Sequence, residues 1–478
     1  MVVMEHNRVH TVSRLAARAG IMPGMRLSSV QMLVPDAIVY QRELHRENEQ
    51  LAAAAMACLR FTPQVCIQES ACIIMNVGAS LRLFGGIRRL RRLIQNTVSQ
   101  LGLQSQIGIA ISAQAACLLA RHRILRSSTQ ARRLPHFSPY ALSSRRLAQR
   151  LDLLPISLLT SAQKWLDWLS GIGCATLGEL RQLPRAGLQR RCGKELLHQL
   201  DLAYNATQEV FQWLELPKQF HARLELPDRF EHTELIFHFA RALLVQLCGW
   251  LVQQQLAVNC LEFAFEHERG RQAVAPSLMR IQLGQASWRE EHLSKLLKEH
   301  LAQLQLTAAA IAIRLEAVQV SPMHAPNADL FPEPGGNLEE QSKLMELLVA
   351  RLGAENVLHP APIADHRPEV ANHWVPILQK VKNTAAAIPL PLCRPTWLLP
   401  QPQLLEVRQH RPHYQSPLKL MSPAERIEAG WWNGQLITRD YFIAENAQHL
   451  RCWIYRERIG AAQQANDDEV WYLHGFFG

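Results

Sequence analysis

The sequence predicts a multidomain α+β protein. Its 478 residues are enough for about three domains, and the chain is 48% hydrophobic but only 19% charged, which is typical of globular proteins. Two patterns set the fold class. Helical and strand-like segments alternate through roughly the first two thirds of the chain, and a run of short aromatic strands begins near residue 425.

The first two segments are predicted to be helical and then α/β. Residues 1–60 contain a short amphipathic helix that ends at Gly20 and a longer helix that leads to Phe61. Residues 61–150 begin with a β-prone stretch at 63–77, and helices are predicted near 86–101 and 113–121 with a short apolar strand between them. The order strand, helix, strand, helix indicates an α/β sheet domain.

The rest of the chain is divided by glycine and proline. Residues 155–206 are predicted to be helical, and residues 218–320 follow a β-α-β-β-α-β order, the ferredoxin-like plan. Proline and glycine accumulate at 322–336 and 386–423, which predicts linkers. The resulting segments are 1–60, 61–150, 151–215, 216–321, 322–340, 341–424 and 425–478.

The C-terminal segment, residues 425–478, carries bulky aromatic residues in pairs or alternation. Turn residues separate them at Asn433-Gly434 and Glu445-Asn446. This pattern predicts antiparallel hairpins with most rings in a core. The aromatic positions are Trp431, Trp432, Tyr441, Phe442, Trp453, Tyr455, Trp471, Tyr472, Phe476 and Phe477.

Several protein classes are excluded by the sequence. The ten cysteines are scattered without a CxxC pair, so neither a zinc site nor a disulfide framework is predicted, and a reducing cytoplasmic location follows. The N-terminus lacks the features of a signal peptide, and no apolar run approaches the roughly 20 residues that span a bilayer. The GxSxG, HExxH and GxGxxG motifs of hydrolases and oxidoreductases are missing. We predict no cofactor and no metal site.

The charge of the chain favours a polyanionic partner. The formal net charge is +10, and residues 121–150 carry many arginines but no acid. A second arginine cluster lies at 82–92. Either cluster alone is as compatible with a solvated surface as with a binding site, but the two together favour nucleic acid.

Residues 169–180 are predicted to form a helix-hairpin-helix that binds the DNA backbone. Two glycines allow a tight turn, and the helix that follows is expected to present free N–H groups to a phosphate. The alternative is an ordinary helical turn capped by glycine. The predicted DNA-binding residues are Gly171, Ile172, Gly173, Thr176, Arg185, Arg190, Arg191 and Lys194.

Four blocks of the sequence resemble the Y-family DNA polymerases and their relatives, the ImuB family, and the last two blocks point to ImuB rather than to an active polymerase. The four blocks are SLRLFGG at 80–86, LRQLPRAGLQRR at 180–191, DHRPE at 365–369 and the C-terminal aromatic run. The resemblance implies polymerase-like fingers at 1–60, a palm at 61–150, a thumb with the helix-hairpin-helix at 151–215 and a little finger at 216–321. A family-specific region and the aromatic unit follow a linker at 322–340.

The resemblance also implies that the palm is catalytically inactive. The family's enzymes have an adjacent Asp-Glu pair at the position of Gln68 and Glu69, and a Tyr and an Arg at the positions of Arg14 and Ala17. A third carboxylate lies on a first palm strand that this sequence does not contain. Because two metal ions need several carboxylates, an amide at position 68 weakens the site. The alternatives are an active translesion polymerase that uses Glu69, and a simple sequence-independent DNA-binding protein.

A short motif in the linker resembles the bacterial clamp-binding peptide. It consists of Asn327, Ala328, Asp329, Leu330 and Phe331, of which the last two would enter an apolar pocket. Otherwise these two side chains would pack on the neighbouring domain. The resemblance to the ImuB family implies a non-catalytic adaptor in damage-induced mutagenesis and the SOS response. Its partners would be primer-template DNA, the sliding clamp, a RecA-like accessory protein and an error-prone replicative-type polymerase.

Overall fold

The computed structural model describes residues 1–68, 71–127, 138–268, 274–323, 338–379, 393–458 and 470–478. The chain folds into two compact units, Met1–Glu339 and Glu340–Gly478. The clamp-like motif at 327–331, Glu69, Arg132 and Arg133 lie outside the described residues.

A small sheet of three strands opens the first unit, where only helices were predicted. Its strands pair in the order β2-β1-β3, and its core includes Val2, Met4 and Val9. His6 and Asn7 form the turn between the first two strands with left-handed φ angles of 46° and 61°. Strands of three to five residues are too short to show a clear period, which is why the prediction missed them. The elements are β1 (Val2–Glu5), β2 (Arg8–Val12), α1 (Arg14–Arg18), α2 (Leu27–Leu33) and β3 (Val39–Gln41).

The palm-like segment has the predicted order of helices and strands, but its described strands form two separate pairs. β4 and β5 form an antiparallel hairpin, and β6 pairs with β7 in parallel. The amphipathic helix α4 buries Leu90, Ile94 and Val98. Helix α3 (Leu44–Cys58) leads into this segment, whose elements are β4 (Val65–Gln68), β5 (Cys72–Met75), α4 (Ile87–Gln100), β6 (Ile109–Ala110), α5 (Ala113–Ser127) and β7 (Tyr140–Ala141).

The thumb-like segment is helical, as predicted. Short helices surround one apolar cluster that includes Leu151, Leu177 and Leu196. Two 3₁₀ turns, Ile156–Leu158 and Thr160–Trp165, connect the first two α-helices of this segment. The helices are α6 (Ser144–Leu151), α7 (Leu166–Gly171), α8 (Leu177–Gln182), α9 (Arg185–Cys192) and α10 (Lys194–Ala203).

The little-finger-like segment has the predicted β-α-β-β-α-β order. Its four strands form one antiparallel sheet in the order β10-β9-β11-β8. On β8 and β10, exposed and more buried residues alternate, which is typical of a sheet covered on one face. The elements are β8 (His221–Phe230), α11 (Thr233–Gln254), β9 (Leu256–His267), β10 (Ser277–Ser287), α12 (Glu290–Gln303) and β11 (Ala310–Pro322).

Helix α11 is apolar and long enough to cross a bilayer by length and composition alone, which corrects the expectation that no such stretch exists. Most of its apolar surface is buried inside the protein, and it packs on α3. Gly249 permits this approach, because an added Cβ would collide with the carbonyl of Met56. Core helices of this kind share the composition of membrane spans.

In its described residues, the second unit contains helix α13 and two antiparallel sheets. β12 and β13 pair with each other, and the remaining strands form an eight-stranded sheet in which β18 pairs with β19 off the main path β16-β15-β14-β21-β20-β19-β17. The predicted boundary at residue 425 therefore falls inside one sheet. The elements are α13 (Leu338–Leu352), β12 (Leu358–Pro362), β13 (Asn372–Pro376), β14 (Trp397–Arg408), β15 (Arg411–Tyr414), β16 (Ser416–Pro417), β17 (Lys419–Leu420), β18 (Glu425–Ala429), β19 (Ile437–Glu445), β20 (Arg451–Glu457) and β21 (Trp471–Phe476).

The central strands β19, β20 and β21 of this aromatic sheet bury apolar residues on both faces. Alternate residues of β19 point to opposite sides, so Tyr441 packs with Trp453 while Phe442 packs with Trp471. The ring centroids of Tyr441 and Trp453 are 4.0 Å apart. The predicted turn residues Asn433 and Gly434 lie between the paired strands β18 and β19. The prediction of hairpins with mostly buried rings is confirmed.

Candidate nucleic-acid interface

The two glycines of the predicted hairpin lie in the turn between α7 and α8. Gly171 ends α7, and Gly173 has a φ of +78° with open space around it. A residue with a side chain would be strained there because of the backbone angle and not because of crowding. Leu169 and Cys174 anchor the turn in the core, while Ile172 is 48% exposed. The turn therefore presents backbone and one apolar side chain to solvent.

The expectation that α8 offers free N–H groups to a phosphate is wrong. Thr176 and Glu179 form a capping box, in which each side chain accepts a hydrogen bond from the other residue's backbone N–H. The Glu179 carboxylate also accepts from the Ala175 N–H at 2.8 Å. The next two amides donate to main-chain oxygens, Leu177 N–H to Leu154 at 2.9 Å and Gly178 N–H to Asp152 at 3.2 Å. Any phosphate contact here must come from side chains.

Two of the predicted basic residues already have partners within the protein. The Arg185 guanidinium donates to both carboxylate oxygens of Asp201, at 2.9 and 2.6 Å. This ion pair raises the pKa of Arg185. The guanidinium of Arg191 lies 5.6 Å from the ring centroid of Trp168, a cation–π distance. These contacts hold α9 against α10 and α7.

Arg190 and Lys194 are exposed at the end of α9 and the start of α10. Within residues 138–268, neither side chain has an ion pair or hydrogen bond. A cation without an internal partner can bind a phosphate without first breaking an interaction inside the protein. Arg190 and Lys194 are therefore the best placed of the predicted cations for the DNA backbone.

The arginines of α4 form a second basic surface. Arg88, Arg89 and Arg92 are exposed on the side opposite the buried leucine and isoleucine positions of this helix. Arg91 instead donates to the hydroxyl of Tyr140 at 3.2 Å. In the arginine cluster at 121–150, Arg145 and Arg146 are exposed on α6 and Arg150 donates to the Ser138 carbonyl at 3.0 Å.

The exposed sheet face of the little-finger-like segment is balanced in charge. Arg223 lies 3.0 Å from carboxylate oxygens of both Glu225 and Glu266, and Arg314 lies 3.4 Å from Glu316. Cations that already have carboxylate partners attract a polyanion less. The charges of this segment therefore support DNA binding less than the exposed cations of the thumb-like helices do.

Gln68 ends β4 and pairs with Cys72 across the palm hairpin. The neighbouring position, Glu69, lies outside the described residues. In the described ranges no group of three His, Cys, Asp or Glu residues is arranged to hold a metal ion. At this position the hairpin presents an amide, which is a weaker ligand for a hard divalent cation than a carboxylate.

The segment that connects the thumb-like and little-finger-like parts runs along this hairpin. The Leu214 N–H donates to the Val65 carbonyl at 2.8 Å, while Phe211 and Trp213 pack on the apolar cluster beneath the hairpin. Glu209 caps α5 and accepts from the backbone of its first residues at 2.8 and 3.2 Å. Burial raises the pKa of Glu209. The connecting segment thus covers one edge of the palm-like hairpin.

The comparisons with known proteins agree with this architecture. Residues 1–121 match the impB/mucB/samB family. Protein ImuB from two strains of Caulobacter vibrioides, NA1000 and ATCC 19089, is 24% identical over 486 residues, which cover 96% of this chain and all of the relative. The chain is homologous to ImuB over nearly its whole length. This ImuB homologue is a polymerase-like protein related to DNA damage.

Solved Y-family polymerase structures also resemble this ImuB homologue, at lower similarity. A Dbh–Dpo4 chimera has a TM-score of 0.35 at 14% identity, and the alignment covers 66% of this chain and 90% of the other. DinB from Sulfolobus solfataricus has a TM-score of 0.33 at 14% identity, covering 66% and 89%.

The DHRPE motif packs against the aromatic sheet within the second unit, a contact that the sequence did not predict. Arg367 is buried and forms an ion pair with Asp365 at 2.7 Å, which lowers the pKa of Asp365. Its guanidinium lies 5.6 Å from the Trp432 ring. Glu369 pairs with Arg439 at 2.6 Å. Two of the blocks that carry the family resemblance therefore form one structure.

An exposed apolar group lies in the turn between β18 and β19. Trp431 is 67% exposed, Trp432 is 54% exposed and Leu436 is 54% exposed. The two tryptophan rings pack edge to face with centroids 4.7 Å apart. Large exposed aromatic residues of this kind are enriched at protein interfaces. We call Trp431, Trp432 and Leu436 the tryptophan turn.

Proposed function

We propose that this protein is a non-catalytic, DNA-binding adaptor in damage-induced mutagenesis in the cytoplasm. The observation that supports the proposal is the palm hairpin, where Gln68 lies at the position that the family resemblance assigns to an Asp and the connecting segment covers the edge of β4. The Glu209 carboxylate on that segment is committed to the N-terminus of α5. The proposal requires that the protein binds primer-template DNA without extending it.

DNA would be bound mainly by side chains of the thumb-like helices. Arg190 and Lys194 are exposed and without internal partners in residues 138–268, and the arginines of α4 add a second basic surface. Because Gly171 and Gly173 have no side chains, the turn that they form with Ile172 would let the DNA backbone approach the protein closely. Such contacts are independent of sequence and fall steeply with salt, because bound phosphates release counterions.

The salt dependence of DNA affinity tests this assignment. The slope of log affinity against log salt is negative, and replacing both Arg190 and Lys194 with Ala should reduce its magnitude by about 0.9 for each phosphate that the variant no longer neutralises. The matched control, Lys295→Ala with Lys298→Ala on α12, removes the same charge from exposed positions. Equal slopes for the two double variants would show that Arg190 and Lys194 do not bind the DNA.

The motif at 327–331 would bind the sliding clamp. Leu330 and Phe331 are each worth roughly 1.5–3 kcal/mol when buried, which after ordering costs gives an affinity of about micromolar or weaker. The double variant Leu330→Ala/Phe331→Ala should abolish binding to purified clamp while DNA affinity remains. Unchanged clamp binding would place the contact elsewhere.

The second unit would recruit a RecA-like accessory protein and an error-prone replicative-type polymerase. The tryptophan turn is the exposed apolar surface that supports this part of the proposal. Trp431→Ala with Leu436→Ala should weaken partner capture, whereas Trp374→Ala, at a position that is 67% exposed on β13, should not. Because the sheet begins at β14, a deletion that starts at residue 425 would divide it, so point variants are the cleaner test.

A further inference from the structure

Two cysteines of the palm-like segment lie side by side although they are far apart in sequence. The Sγ of Cys72, on β5, is 3.3 Å from the Sγ of Cys117, on α5, and the residues are 45 positions apart. Cys72 is partly exposed, while Cys117 is buried. Forming a disulfide of about 2.05 Å needs only a small approach of the two sulfur atoms.

The surroundings of this pair favour a thiolate on Cys117. A hydrogen bond from the Cys72 thiol lowers the pKa of Cys117 to about 7; burial acts against this shift, and the charge of Arg121 supports it. The carboxylate of Glu209 acts in the opposite direction to Arg121. The same hydrogen bond, together with burial, raises the pKa of Cys72. One sulfur of the pair is therefore the nucleophile and the other the proton donor.

We propose that Cys72 and Cys117 form an intramolecular disulfide when the folded protein meets hydrogen peroxide. The proposal rests on the 3.3 Å contact between the two sulfurs and on the partial exposure of Cys72, which gives a small oxidant access to the pair. It is independent of the proposed adaptor function. The bond would tie the hairpin that carries Gln68 to helix α5.

The reaction balances with peroxide as the only oxidant. The Cys117 thiolate attacks one peroxide oxygen, the O–O bond breaks, and the hydroxide that leaves takes up a proton to become water. The Cys72 sulfur then attacks the Cys117 sulfenic acid, the S–S bond forms, and the S–O bond breaks. The released hydroxide takes the Cys72 proton as a second water. The two thiols lose two electrons, and peroxide is reduced to water.

Peptide mapping of the intact wild-type chain tests the proposal. The folded protein is treated with hydrogen peroxide, its remaining thiols are blocked, and it is digested with trypsin. The expected product links residues 61–82 to residues 93–121, and dithiothreitol separates them. Cleavage after Glu69 separates Cys66 from Cys72 and identifies the linked sulfur. The intact mass should fall by two hydrogen atoms.

Cysteine variants provide a second test of which two sulfur atoms are linked. Cys72→Ser and Cys117→Ser should each abolish the linked peptide, while Cys66→Ser, the matched variant of a neighbouring buried cysteine, should retain it. In these variants, but not in the wild-type chain, the exposed Cys393 is also replaced by Ser to prevent linkage between chains. Linkage of Cys66 to either partner, or peroxide treatment that leaves all ten cysteines as thiols or carries them to sulfinic acid, would overturn the proposal.

Discussion

Glu290 in the little-finger-like segment forms ion pairs with two arginines, and one of them, Arg60, connects this segment to the end of α3. Its carboxylate lies 3.0 Å from Arg60, which follows α3, and 3.0 Å from Arg241 on α11. The Glu290 side chain is only 9% exposed, whereas Arg60 and Arg241 are 29% and 37% exposed. Glu290→Gln removes the charge that both guanidinium groups contact, so we expect the variant to be less stable.

The size of the effect follows from the burial of the three groups. Breaking a fully buried pair costs about 3–5 kcal/mol, while exposed pairs are worth about 0–1 kcal/mol. Because water still reaches both arginines, we expect Glu290→Gln to lower the free energy of unfolding by about 2 kcal/mol. With a urea dependence of about 3 kcal/mol per molar, the midpoint should fall by about 0.7 M.

Urea unfolding followed by tryptophan fluorescence measures this change. The matched control is Glu316→Gln on β11, where the carboxylate is 46% exposed and pairs with an arginine that is 45% exposed. We expect the control to shift the free energy by less than about 0.5 kcal/mol. If the two variants unfolded at the same urea concentration, the buried network would not hold the segments together.

Three further results are expected. Thr176→Ala should lower the free energy of unfolding by about 1 kcal/mol through loss of the capping box, while Thr176→Ser should restore most of it; equal stability of all three proteins would contradict the cap. Gly249→Ala should destabilise by about 1–2 kcal/mol because the new Cβ meets the Met56 carbonyl, whereas Gly187→Ala, in open space on α9, should be neutral or stabilising in the same assay. Burial lowers the pKa of His474, so as the pH falls through about 6.5 this histidine binds a proton in the unfolded chain before it does so in the folded protein. The free energy of unfolding should therefore decline from pH 7 to 5. In His474→Gln the urea midpoint should depend less on pH.

The long periodic segments were predictable from the sequence. Helices α3, α4 and α11 show clear apolar patterns over 14 to 22 residues, and the structure confirms them. The β-α-β-β-α-β order and the aromatic strands were equally visible, because turn residues separate runs of one period. The local sequence was sufficient to predict these elements.

Contacts between distant residues were not predictable from the sequence. The path of Phe211 and Trp213 along the palm hairpin depends on the folded positions of β4 and α5. The N–H groups of Leu177 and Gly178 find carbonyl partners more than 20 residues earlier, which is why the expected phosphate site at α8 is absent. The pairing of β14 with β21 likewise joins residues 397 and 476 across the predicted boundary.

The proximity of Arg367 to Trp432 illustrates the same limit. The sequence identified the DHRPE motif and the aromatic run as separate blocks, and only the fold brings them within 5.6 Å. Glu69 and the motif at 327–331 lie outside the described residues, so their roles stay predictions.

Primer extension tests the central claim most directly. One preparation of the full chain is first shown to bind primer-template DNA, and synthesis is then measured with Mg²⁺ and with Mn²⁺. Our account predicts DNA binding without extension under both conditions. Extension that Glu69→Ala abolishes would mean that a working metal site is present in the palm, and the protein would then be a polymerase and not an adaptor.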